Sequence, residues 1–270
     1  MTNMQKRIGI DAGGSLVKIV IEEKGKLTYK KYPIEKLDDA VGWLAILAQQ
    51  AEVNVTGGKA EYLRKRYFPN AKVVTEFDAS CEGARYLIKK SRLKIASKFM
   101  LVNIGTGTSW YLIEAEKTER ILGSGIGGGT FMGLGKLLST RTEYSQLVEQ
   151  AIEGDKANID LLVKDIYHPE DPPIEGTLTA SNFAKAAETV AHSESDRIAA
   201  IVNMIAETIV LLSNQTAKLH QTQEIVYIGS TLIENSTLQA GLERFSSMVG
   251  LTPHFLQDGE YCGAIGALIV

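Results

Sequence analysis

The chain has 270 residues, 44% apolar and 23% charged, with a formal net charge of −3. At about 150 residues per domain this is one large domain or two ordinary ones, and the mixture excludes a disordered, collagen-like or low-complexity chain. Two cysteines, Cys81 and Cys262, show no CxxC spacing and only four histidines are present, so no zinc site or disulfide framework is expected and a reducing cytosol suits the chain.

Lys6-Arg7 runs into Ile8-Gly9-Ile10-Asp11, where a signal peptide would need an unbroken apolar run. This stretch reads as a strand, followed by a tight turn at Gly13-Gly14 and a returning strand over Leu16 to Ile21. A turn around Gly25 leads to a third strand, Leu27 to Tyr32, which makes an antiparallel meander. Helical spacing of Val41, Leu44, Ala45, Leu47 and Ala48 predicts a helix over Asp38 to Gln50. A strand over Glu52 to Thr56, a helix over Ala60 to Tyr67, a strand over Ala71 to Thr75 and a helix beginning near Asp78 follow, with Asp78 as the expected N-cap. Phe99 to Ile104, a turn at Gly105 and Gly107, and Ser109 to Ile113 then repeat the strand, glycine turn and strand about 94 residues downstream, a signal of internal duplication. Beyond Thr140 the pattern is mainly helical, broken at Asp171-Pro172-Pro173. The apolar stripe from Ile198 to Leu212 reads as core or as a subunit interface, and Asn203 and Glu207 within it argue against a membrane span. Glu224 to Ile228 is a strand entering Gly229-Ser230, and Gly263 to Ala267 is a small-residue helix start. The basic runs Arg64-Lys65-Arg66 and Lys89-Lys90-Ser91-Arg92 fall in helices without an aromatic ladder, so nucleic acid is not an expected partner.

Glycine is the unusual residue, with 25 copies against 6 prolines. More than half lie in four places: Gly13-Gly14, Gly57-Gly58, Gly105 with Gly107, and Gly123 to Gly135. Three phosphate-binding schemes use such clusters. A P-loop fails, because Thr130 to Leu137 lacks both the first glycine and the final hydroxyl. Gly123 to Gly128 satisfies GxGxxG, but the strand before it belongs to a meander and not to a βαβ unit, so the dinucleotide scheme is weak. The third scheme clamps a nucleoside triphosphate between two β-hairpins from related halves, whose turn amides face the phosphates, with unpaired donors added by a helix N-terminus. This layout resembles the acetate kinase, heat-shock-70 and actin superfamily, which implies a duplicated, actin-like (ribonuclease H-like) α/β fold with two domains, 1–97 and 98–270, around an ATP cleft. In that reading Asp11 orients Mg²⁺ through its water shell; otherwise it is a turn-forming aspartate.

The resemblance sharpens over Asp11 to Lys18, Thr56-Gly57-Gly58, Thr75 to Ala79, Asn103 to Ser109, Gly127 to Gly129, Gly133-Leu134-Gly135, Leu178 to Phe183 and Val226 to Ser230. In order and spacing these are similar to the type II pantothenate kinases, near the short staphylococcal and bacillus-like branch, over almost the whole chain. The resemblance implies ATP-dependent phosphorylation of pantothenate, the first step of coenzyme A synthesis, by a cytoplasmic homodimer. It further implies Glu76 as general base and Arg120 as the cation near the transferred phosphate, both also touching pantothenate with Thr106 and Ser109. The implied nucleotide contacts are Asp11, Ala12, Gly13, Gly14, Ser15, Leu16, Val17 and Lys18, then Thr106, Gly128, Gly129, Thr130, Phe131, Met132, Tyr144 and Ser230, with Asp11 toward the metal. Structural alternatives stand beside these: Glu76 as a capping residue, Arg120 as an exposed strand arginine, Lys18 pointing to solvent, Tyr144 in a helix core stripe. Ser15 stands where the family usually has threonine, and Ser124 and Ile126 vary the residues between the loop glycines. Another small-molecule kinase of the superfamily, acting on a sugar or amino sugar, and a nucleotide-switched interaction protein are the alternative functions.

Overall fold

The computed structural model describes residues 6–48, 51–115, 117–187 and 192–270. Strands β1 (Arg7–Ala12), β2 (Leu16–Glu23) and β3 (Lys26–Pro33) form the expected meander. Helix α1 (Leu37–Leu47), strand β4 (Glu52–Thr56), helix α2 (Ala60–Arg66), strand β5 (Lys72–Val73) and helix α3 (Glu76–Ser91) follow. The helix expected to reach Gln50 is described to Leu47, and Gln49 and Gln50 lie outside the described residues. β5 is shorter than the Ala71 to Thr75 expected, because it is an edge strand that meets its only neighbour, β4, at two residues. α3 starts at Glu76, and its N-cap is Thr75 instead of Asp78: Thr75 Oγ1 accepts from the Asp78 amide at 3.1 Å and donates to the Asp78 carboxylate at 2.6 Å.

The second half repeats the plan with β6 (Lys98–Ile104), β7 (Thr108–Glu114) and β8 (Lys117–Ser124) as its meander. Helices α4 (Gly128–Leu138) and α5 (Tyr144–Glu153), a small subsheet of β9 (Leu161–Leu162) and β10 (Thr179–Ser181), and α6 (Val163–Tyr167) come next. The long α7 (Glu194–Leu219), β11 (Glu224–Ile228), α8 (Ser236–Met248), β12 (Thr252–Phe255) and α9 (Cys262–Ile269) complete it. The two main sheets run β3-β2-β1-β4-β5 and β8-β7-β6-β11-β12, the same order, with the last two strands of each parallel to its first. The duplication reaches individual turns. Gly57 follows β4 with φ +88° and packs against Ala12 and Asp11, while Gly229 follows β11 with φ +114° and packs against Ile104 and Asn103. Both have a backbone conformation that side chains resist, and both sit where a Cβ would strike the strand end beneath the glycine turn. This gives Gly57 a task that its sequence neighbourhood did not reveal.

Strand alternation sorts the second sheet into two faces. Met100, Val102, Ile104 and Trp110 face α5, α7 and α8, and the Ile198 to Leu212 stripe is mostly buried in this cluster. By length and composition α7 could cross a bilayer, but here it is a core helix. Phe99, Leu101, Tyr111 and Ile113 face the other way, toward Cys81, Ala84 and Leu87 of α3. The two helices that follow the edge strands are therefore exchanged. α3, after the first sheet, covers the second, whereas α9, after the second, lies on β1, β2 and β4. Asn54 Nδ2 donates to the Ala267 carbonyl at 2.8 Å to fix α9 there. The helices cross at glycines: a Cβ on Gly83 would lie 1.9 Å from the Cys262 carbonyl oxygen, and one on Gly266 would lie 1.8 Å from that of Ala79.

Candidate active site

The two glycine hairpins face each other across a cavity of about 630 Å³. Asp11, Gly13, Gly14, Ser15, Leu16 and Lys18 line it from the first meander, Thr106, Ser109 and Arg120 from the second, with Glu76 and Ser230 between them. Beside it opens a smaller recess of about 370 Å³, walled by Gly128, Gly129, Met132, Tyr144 and Ile233 and reached past Ser15 and Thr106. The hairpin tips touch, since Ser15 Oγ and Thr106 Oγ1 share a hydrogen bond of 2.9 Å.

Four of the residues singled out from sequence, Ala12, Val17, Thr130 and Phe131, line neither space. Ala12 and Val17 are fully buried in the first core and Phe131 is buried in the second, where its ring meets Tyr144 edge-on at 5.7 Å. The Thr130 hydroxyl donates to the Gly125 carbonyl at 2.9 Å and so shapes the glycine turn. The α4 N-terminus also differs from a row of free donors. The amides of Gly128 and Gly129 donate to the carbonyls of Gly105 and Thr106, both at 2.8 Å, and fasten the helix to the second hairpin. Tyr144 does face the recess, and its hydroxyl donates to the Thr231 carbonyl at 2.7 Å; burial pushes this phenol up to about 12.

Arg120 arrives through an irregularity. Trp110 pairs with Leu122 but Tyr111 pairs with Arg120, so β8 carries an extra residue, Ile121. In an unbroken ladder Arg120 would face the α7 side; the bulge turns it to the face that carries Ser109 and Tyr111. Glu76 is delivered by the first turn of α3, directly after the Thr75 cap.

Charge is concentrated here. Burial raises the Asp11 carboxyl above its ordinary range, opposed by Lys18 with its Nζ 3.7 Å away. Glu76 is also raised, first by desolvation and then by the Asp11 charge, with Lys18 and Arg120 pulling the other way. Asn103 and Lys31 are among the lining residues missed from sequence. Asn103 lines the cavity at the place in the second half that Asp11 holds in the first, and the duplicated layout is the signal that could have found it. Lys31 lines the recess while paired with Glu260 at 2.8 Å; it has no local motif.

A duplicated pair of meanders with a glycine-lined cleft between them gives the chain an actin-like fold. Similar solved structures have this fold: the activator of 2-hydroxyisocaproyl-CoA dehydratase from Clostridium difficile with bound ADPNP (TM-score 0.64, 16% identity, covering 98% of this chain and 93% of that one) and a ROK family glucokinase from Streptomyces griseus in complex with glucose and AMPPNP (TM-score 0.55, 14% identity, 97% and 98%). The chain belongs to the Fumble family, whose model matches residues 21–270, and to its type II pantothenate kinases. The type II pantothenate kinase of Oceanobacillus iheyensis is 42% identical over 264 residues, covering 98% of this chain and 99% of that protein. Those of Bacillus cereus and Staphylococcus aureus are 39% and 37% identical, covering 98% and 97% of this chain and 98% of each relative.

Proposed function

We propose that the protein transfers the terminal phosphoryl group of ATP to the primary hydroxyl of pantothenate, the first step of coenzyme A synthesis, with Glu76 as general base. The observation that carries the residue assignment is the convergence of Glu76 and Arg120 on the cavity between the two glycine hairpins. Transfer to an alcohol requires the acceptor in line, its proton received and the phosphate charge offset. In this reading the nucleobase occupies the recess beside Met132 and Tyr144, and the triphosphate runs past Ser15 and Thr106, whose mutual hydrogen bond opens to admit it. The acceptor lies between Ser109 and Glu76. Its proton passes to the Glu76 carboxylate, which desolvation makes a better base than a solvated glutamate. Arg120 and Lys18 offset the negative charge that shifts during transfer.

Asp11 suits a hydrated magnesium ion, being a partly buried carboxylate open to the cavity with Lys18 as its charged partner. When bound, the ion neutralises phosphate charge, and a site completed by phosphate and water needs only one or two carboxylates. Among the described residues no three metal-ligating side chains are gathered. We assign the lobes as 1–97 and 98–270 and the working form as a cytoplasmic homodimer; the free, buried thiols of Cys81 and Cys262 suit a reducing compartment. The test is ADP release with pantothenate, N-acetylglucosamine, glucose or no acceptor. Turnover with pantothenate alone is expected; turnover only with a sugar overturns the assignment.

A further inference from the structure

Lys31 stands directly opposite Lys18 in the β2–β3 ladder, so both side chains leave the same face of the first sheet. Like charges placed opposite one another are destabilising. Each is held by a different carboxylate: Lys18 reaches Asp11 at 3.7 Å on the cavity, and Lys31 reaches Glu260 at 2.8 Å beside the recess. This face is the one turned to the short Gly259–Tyr261 turn before α9, because Tyr29, two residues before Lys31, packs on Tyr261 at 4.9 Å between ring centroids. Lys30, between them, lies over Trp43 on the other face, 4.8 Å from the ring centroid, which is a purely structural use of a strand lysine.

The recess is short of positive charge for a ligand that carries phosphates. Gly128 and Gly129 spend their amides on the Gly105 and Thr106 carbonyls, so those donors are not offered to a phosphate. Ser15, Thr106 and Ser230 supply hydroxyls, and Glu234 adds a negative charge. Among the described residues that line the recess, Lys31 is the one cation. Lys18 lines the cavity and not the recess. A triphosphate that runs from the recess into the cavity therefore meets Lys31 at its nucleoside end and Lys18 further along.

We propose that Lys31 is a nucleotide-binding residue whose ammonium turns from Glu260 to the α-phosphate. This rests on the reading that the nucleoside occupies the recess. The four-carbon stem lets the charge turn while the strand stays in place. Glu260 and the phosphate compete for the same ammonium, so nucleotide binding breaks the ion pair.

The test compares Lys31→Met, Glu260→Gln and Ile233→Arg with the unaltered protein, measuring the Kd for ADP by calorimetry, the KM for pantothenate at saturating ATP, and the melting temperature. Lys31→Met should weaken ADP roughly 10- to 100-fold, the scale of a hydrogen bond to a charged group, and leave the KM for pantothenate unchanged. Glu260→Gln should bind ADP at least as tightly as the unaltered protein, because the competing carboxylate is gone. If Lys31→Met binds ADP normally, or if Glu260→Gln weakens ADP as much as Lys31→Met does, the pair is only a tether and the nucleotide role is overturned. Ile233→Arg places a bulky charge in the recess and tests the underlying reading. Loss of ADP binding in this variant with the melting temperature kept supports that reading whatever Lys31→Met shows. Unaltered ADP affinity in Ile233→Arg overturns the reading of the recess and the Lys31 role with it.

Discussion

The Arg120 guanidinium occupies the space that a side chain at residue 123 would need: a Cβ added to Gly123 would lie 2.3 Å from Nη2. The bulge at Ile121 turns Arg120 to the cavity face, and the bare backbone two residues beyond the bulge gives its head group a resting place. Gly123→Ala should leave the fold intact and displace the cation. A misplacement of about 1 Å near the reacting groups can cost about 100-fold in rate, so kcat/KM for pantothenate should fall on that scale with the melting temperature kept. Unchanged kinetics would show that the guanidinium is not held in this position.

Glu76→Gln should lower kcat by roughly 100- to 10,000-fold, the usual worth of general-base help, with ATP binding retained. Equilibrium binding of an ATP analogue alongside steady-state kinetics separates the two effects. Turnover close to that of the unaltered protein would remove Glu76 from the mechanism.

The pH dependence follows from the same residue. A base must be deprotonated, and desolvation raises Glu76, so kcat/KM should fall as pH drops through a value above that of a solvated glutamate. Arg120 opposes that rise. Arg120→Met should therefore move the acidic limb to higher pH as well as lowering the rate. A limb that stays in place in the variant would dissociate it from Glu76.

Asp11 is held against its own preference, since burial outweighs Lys18 and its folded pKa lies above the unfolded one. Such a group binds protons more readily folded than unfolded, so folding stability falls as pH rises between the two values. Asp11→Asn should raise the melting temperature at neutral pH, and the gain should vanish as pH falls below the ordinary carboxylate range. Magnesium-dependent nucleotide binding should be lost in the same variant. Thermal melts at several pH values check the first part and calorimetric titration of ATP with and without magnesium the second.

Thr75→Ala removes a cap whose loss typically costs about 1 kcal/mol, and urea denaturation should show a decrease of that size. Because Glu76 is the next residue, kcat should fall further than this small change in stability explains. Activity that tracks stability alone would mean that the cap does not position the base.

The meanders and both glycine turns were legible in the sequence because alternation and glycine punctuation are local signals. The cap was misplaced between two plausible residues: Thr75 and Asp78 form one reciprocal unit, and only the helix start distinguishes their roles. Ala12, Val17 and Phe131 fell inside nucleotide motifs as core residues supporting the turns. The Ile121 bulge, the exchange of α3 and α9, and the pairing of Gly57 with Gly229 depend on contacts between distant segments, which no short window contains.

The exchanged helices bear on how the protein is made. β1 leaves the ribosome well before the second lobe, yet the helix that covers it, α9, follows that entire lobe. Until then Gly9 and Asn54 lack the helix that meets them on that face. The first lobe is thus synthesised before the second and finished after it.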